Sequence, residues 1–66
     1  MRIKIDGLLE DVEQGMNLAE LIGERNEDTI ELIVELNYRF VHRRDYASTR
    51  LKEGDRVELI HPAFGG

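Results

Sequence analysis

Apolar residues alternate with polar ones near both ends of this chain, and their spacing becomes helical only once, just after Met16. That single switch limits the fold more than any other feature. One short helix cannot form a bundle, so the strand-like runs must build a sheet and the helix must cover it. At the start, Met1, Ile3 and Ile5 alternate with Arg2 and Lys4. Asp6-Gly7 follows, and an Asp-Gly pair between strand-like runs predicts a hairpin, because both central residues of the tight turn take φ > 0. The run LLEDV reads as the returning strand, with Leu8 and Val12 on one face and Leu9 on the other.

The helical segment carries its own start signal. Asn17 is a suitable N-cap, Glu20 stands three residues later as a capping box requires, and Met16 can staple against Leu21. Leu18, Leu21 and Ile22 then define one apolar face, and the helix ends near Arg25-Asn26. Gly23 within it costs about 1 kcal/mol relative to Ala, so tertiary packing must hold the helix. TIELIVEL alternates again, placing Ile30, Leu32, Val34 and Leu36 on one face of a strand. YRFV is a weaker strand, and RRDYAST reads as a loop or a single helical turn. A turn at LKEGD enters the last strand, RVELIH, with Val57 and Leu59 inward, and Pro62 ends it by removing a ladder donor. The expected core is Ile3, Ile5, Leu21, Ile22, Leu32, Val34, Val57 and Leu59, in an α+β fold with one helix across a mixed sheet.

With 66 residues there is room for one domain, residues 1–66, in which 62–66 form a flexible tail, and none for a second lobe around an enzyme cleft. Cysteine is absent, which removes thiolate nucleophiles, thiolate metal sites and disulfides. His42 and His61 have no His or Cys companion at ligand spacing, so neither a metal nor a cofactor is expected. MRIKIDG lacks the apolar stretch of a signal peptide, and no run is long enough to span a membrane, which points to the cytoplasm. The net charge of −5 argues against nucleic acid. Charge is uneven: residues 1–38 hold three Lys/Arg against ten Asp/Glu, while residues 39–52 hold five against Asp45 alone. That basic stretch reads as an ordinary solvated loop, with a docking patch for an acidic partner as the sharper alternative.

The chain closes on HPAFGG. Two terminal glycines add nothing to a core and are entropically costly to order, so either they are accidental or the free carboxylate matters. Taken with the strand and helix order and with LKEGDRVELI, this ending resembles the ubiquitin-like sulfur carriers of bacteria. Asn37, Val41, Arg43 and Tyr46 in LNYRFVHRRDY are similar to the corresponding segment of the thiamin-pathway carriers, in which Asn-Gly is usual at the turn. Tyr38 departs from that pattern, as does His42, where those carriers often have Pro. The ending PAFGG also has something of the molybdopterin synthase small subunit.

The resemblance implies a β-grasp fold with a mixed four- to five-stranded sheet, and a protein that is a substrate of enzymes rather than an enzyme. It implies that the Gly66 carboxylate is adenylated by an E1-like, ThiF-type partner using ATP. Sulfur from a donor such as a cysteine desulfurase then makes a thiocarboxylate, which a thiazole synthase (ThiG-type) consumes. Gly65 and Gly66 would be the residues that enter narrow enzyme channels, where a β-carbon would obstruct. Phe64 and Ile60 are candidate partner contacts, although a single exposed apolar residue needs no explanation. Arg43 and Tyr46 read as structural. A carrier for molybdopterin or another sulfur-containing metabolite, a ubiquitin-like protein modifier, and a binding module with an inert tail remain alternatives.

Overall fold

A computed structural model describes residues 1–62. Five strands, β1 (Arg2–Ile5), β2 (Leu8–Asp11), β3 (Ile33–Leu36), β4 (Arg39–Val41) and β5 (Arg56–Ile60), form one sheet in the order β2-β1-β5-β3-β4. β1 and β5 run parallel, and the other three pairings are antiparallel. One helix, α1 (Leu18–Glu24), crosses one face. This is the mixed sheet with a single covering helix that the sequence predicts, at the five-stranded end of the expected range.

All eight expected core residues are buried, joined by Met16, Leu18, Tyr46 and Leu51. Alternation explains the sheet's share: Ile3 and Ile5 of β1, Val34 of β3, and Val57 and Leu59 of β5 all face α1. The capping box is complete. The Glu20 N–H donates to Asn17 Oδ1 at 2.8 Å, and the Asn17 N–H donates to Glu20 Oε1 at 2.9 Å. The other two donors of the first turn are met from the loop after β4: Leu18 N–H donates to the Thr49 carbonyl at 3.0 Å and Ala19 N–H to that of Tyr46 at 3.3 Å. A seven-residue helix, marginal alone, is thus capped by its own sequence and by a distant loop. That loop contains the predicted helical turn, a 3-10 turn at Arg43–Asp45, and buries Tyr46 and Leu51 beside the helix.

Three local expectations change. Ile30 is 87% exposed and does not join the strand face, because residues 29–31 turn, with Leu32 N–H donating to the Thr29 carbonyl at 3.1 Å. β3 begins only where β5 offers a partner, at the Ile33–Ile60 pair. Val12 lies beyond β2, partly buried, its N–H donating to the Met1 carbonyl at 2.9 Å. Leu8 lies on the helix side of its strand, opposite Ile5, yet is 68% exposed. A seven-residue helix is about 10 Å long and five strands span about 19 Å, so the helix leaves the edges of the sheet uncovered.

Candidate functional site

The sequence points to the end of the chain, and the structure describes what leads into it. Gly65, Gly66 and Phe64 lie outside the described residues, as does the expected tail beyond Pro62. Ile60 is the last residue of β5, 38% exposed, on the face away from α1 and opposite Ile33 of β3. Alternation puts Lys4, Arg56, Glu58, Glu35 and Phe40 on that same outer face, with Glu35 standing between Phe40 and Glu58 in the register. Phe40 is exposed, and its ring meets His42 edge-on with centroids 4.7 Å apart. The outer face therefore mixes charges with Ile60, Ile33 and Phe40. Phe40 was not singled out from the sequence, because YRFV is too short for its alternation to be distinctive.

The residue after Ile60 is tied back to the body. His61 Nε2 lies 2.9 Å from Glu27 Oε1, across 34 positions. The other Glu27 oxygen accepts from Arg25 Nε at 2.9 Å, and Arg25 Nη1 reaches Glu10 of β2 at 3.2 Å. The His61 hydrogen bond, aided by the one from Arg25, holds the Glu27 carboxyl below its usual range, while desolvation opposes the shift. Arg25 is held more firmly protonated, chiefly by its hydrogen bond to Glu27. Glu27 carries no motif signal; only the closeness of residues 27 and 61 in space reveals it.

Elsewhere the candidate features have structural employment. Arg43 Nη1 donates to Asp28 at 2.7 Å, Nη2 donates to the Thr29 carbonyl, and the guanidinium lies 5.9 Å from the Tyr46 ring centroid. Burial pushes the Tyr46 hydroxyl above its ordinary pKa. Arg50 Nη1 donates to the Gly15 carbonyl at 2.7 Å. Three of the five cations in the basic stretch are therefore engaged within the chain, Arg43, Arg50 and, 3.9 Å from Asp45, Arg44, which favours the solvated-loop reading. A groove of about 410 Å³ beside Val12 and Met16 is rimmed by Glu10, Asp11, Glu13 and Glu24. Among the described residues no three His, Asp or Glu side chains are grouped to hold a metal ion. No helix among the described residues is long and apolar enough to cross a membrane.

The ThiS family model matches residues 2–66. Among solved structures, the crystal structure of a thiamine biosynthesis protein (ThiS) from Geobacter metallireducens superposes with a TM-score of 0.86 at 28% identity, covering all of both chains. A solution structure of a thiamine biosynthesis protein from the same organism gives 0.79 at 29% identity, covering all of this chain and 88% of the other. A curated protein named thiazole synthase, from Paramagnetospirillum magneticum, is 29% identical over 66 residues; the chain spans 20% of that protein's length. Fold, strand order and full-length family match agree, and the chain belongs to the ThiS family of ubiquitin-like sulfur carriers.

Proposed function

We propose that residues 1–62 are the body of a sulfur carrier and that Gly66 bears the sulfur. The carboxylate attacks the α-phosphate of ATP on an E1-like, ThiF-type enzyme, releasing pyrophosphate and leaving an acyl-adenylate. A persulfide, its outer sulfur supplied by a donor such as a cysteine desulfurase, displaces AMP to give an acyl disulfide. A second thiol of a partner enzyme cleaves the S–S bond, becoming a disulfide with the departing thiol and releasing the thiocarboxylate. A thiazole synthase then takes the sulfur into the thiazole of thiamin. The chemistry asks little of the carrier's side chains, since activation, nucleophile and acceptor all belong to partners. What it asks of the terminus is narrowness, which Gly65 and Gly66 supply by lacking a β-carbon.

The observation that carries this reading is the family match running through Gly66. The thiazole synthase relative supports the choice of acceptor, because a segment similar to this chain occurs within a protein of that name. Ile60 and Phe64 are proposed contacts for the adenylating enzyme, Ile60 from the outer face of the sheet. The test is intact mass after incubation with the cognate adenylating enzyme, ATP and a sulfur source. The parent chain exchanges one oxygen for sulfur. Deletion of Gly66, or Gly65→Val, abolishes the exchange while thermal stability stays nearly unchanged. Sulfur acquired by the Gly66-deleted chain would overturn the assignment of the reacting group.

A further inference from the structure

Between His61 and Gly66 lie only four residues, so whatever holds His61 fixes the point from which the chain runs on to its terminus. Its backbone is constrained on both sides: Ile60 belongs to β5, and Pro62 restricts the preceding residue to extended conformations while fixing its own φ. The remaining freedom at this junction is restrained by the imidazole, 2.9 Å from Glu27 Oε1. Glu27 is itself braced. Its backbone N–H donates to the Ile22 carbonyl at 3.2 Å, and Arg25 holds its second carboxylate oxygen. Arg25 in turn reaches Glu10 on the edge strand. The Glu27 and Arg25 side chains are 24% and 30% exposed and that of His61 is 41% exposed, so the Arg25–Glu27 end of this chain of contacts is partly shielded from solvent screening while its His61 end faces solvent.

The geometry points to Glu27 as a positioning residue for the carrier reaction, acting through His61. By holding the imidazole it sets the direction in which the chain leaves β5, so fewer conformations are lost when the adenylating enzyme takes up the C-terminal residues. This rests on Gly66 being the reacting terminus. The role concerns capture of the carrier rather than chemistry at the carboxylate, which lies beyond the anchored residues.

The test is steady-state pyrophosphate release by the cognate adenylating enzyme with ATP and the full chain as variable substrate. Glu27→Ala and His61→Ala each raise KM for the carrier about 5-fold with kcat within about 2-fold of the parent, and the double variant is no worse than either alone. His61→Gln, whose side-chain amide can donate to Glu27, recovers most of the loss. Parental KM in both single variants, additive losses in the double variant, or a fall in kcat without a change in KM would overturn the positioning role. His61 is exposed, so its variants report even if Glu27→Ala fails to fold. A parent chain that supports no pyrophosphate release overturns the carrier reading as well, whereas parental turnover with unmoved KM values overturns this role alone.

Discussion

The hairpins at the two edges of the sheet turn with the same backbone geometry on different residues. In the β1–β2 turn Asp6 and Gly7 have φ of 51° and 86°; in the β3–β4 turn Asn37 and Tyr38 have 52° and 68°. The first residue of each pair does the same work, clamping its turn onto the central strand β5. Asp6 N–H donates to the Val57 carbonyl at 2.9 Å, and its Oδ1 accepts from Leu59 N–H at 2.8 Å. Asn37 N–H donates to the Arg56 carbonyl at 2.8 Å, its Oδ1 accepts from Arg56 N–H at 2.9 Å, and its Nδ2 donates to Asp55 at 3.0 Å. The second residues differ. Gly7 takes a left-handed conformation without steric penalty, whereas Tyr38 takes it against the preference of an L-residue with a bulky side chain. Its ring lies over the Arg56 guanidinium, 4.1 Å from centroid to Cζ, and that contact offsets part of the strain. The second position of one turn is therefore satisfied locally by glycine, whereas that of the other is held by the side chain of a β5 residue.

The largest effect expected from breaking this contrast is at Gly7. A Cβ there meets nothing within 4 Å, so Gly7→Val tests the torsion alone, and a loss of about 2–3 kcal/mol is expected in urea unfolding. Asn37→Ala follows, with a loss of about 1–2 kcal/mol, since two side-chain hydrogen bonds to the start of β5 disappear together with a residue that tolerates φ > 0. Equal losses at Gly7→Val and a conservative Tyr38→Phe would show that the two turns do not differ in kind.

Tyr38→Gly is expected to be nearly neutral, within about 0.5 kcal/mol, because relief of the left-handed backbone is cancelled by the lost Arg56 contact and by glycine's entropy. The comparison sharpens in an Arg56→Met background, where there is no guanidinium contact to lose and Tyr38→Gly becomes stabilising by about 0.5 kcal/mol or more. The double-mutant cycle is read by thermal or chemical unfolding. A Tyr38→Gly effect identical in both backgrounds would remove Arg56 from the account.

The smallest effect concerns a third clamp, Glu27 on His61, in which the contact lowers the pKa of the Glu27 carboxyl. Because the folded Glu27 carboxyl lies below its ordinary value of 4.5, its contribution to stability is present above that pH and fades as pH falls through the folded value. His61→Ala removes the largest cause of the shift, so the Glu27 midpoint in an NMR titration of the side-chain carboxyl carbon should move up toward 4.5. An unmoved midpoint would mean that Arg25 alone holds the carboxylate.

Period-2 alternation and the Asn17 to Glu20 capping box were legible because each is written in neighbouring residues: the former chooses which side chains face the core, and the latter starts the only α-helix among the described residues. The Asp6-Gly7 turn was legible for the same reason. The Gly65-Gly66 ending drew attention to the proposed reacting terminus by composition alone. Alternation misled at Ile30, where the apolar pattern continues past the end of the partner strand, and at Leu8, which points to the helix side where the helix does not reach. Neither limit is encoded locally: how far a strand extends depends on its neighbour's length, and how much of a face is buried depends on what lies across it. The same holds for Tyr38 over Arg56, for the loop carbonyls of Tyr46 and Thr49 that cap the helix, and for Glu27 against His61. Local sequence determined the periodicities, the capping box and the glycine turn, because those energies arise between residues a few positions apart. Tertiary structure alone decided which distant groups meet, because a hydrogen bond or a stacked ring is worth little until the packed sheet and helix have already brought its partners within reach.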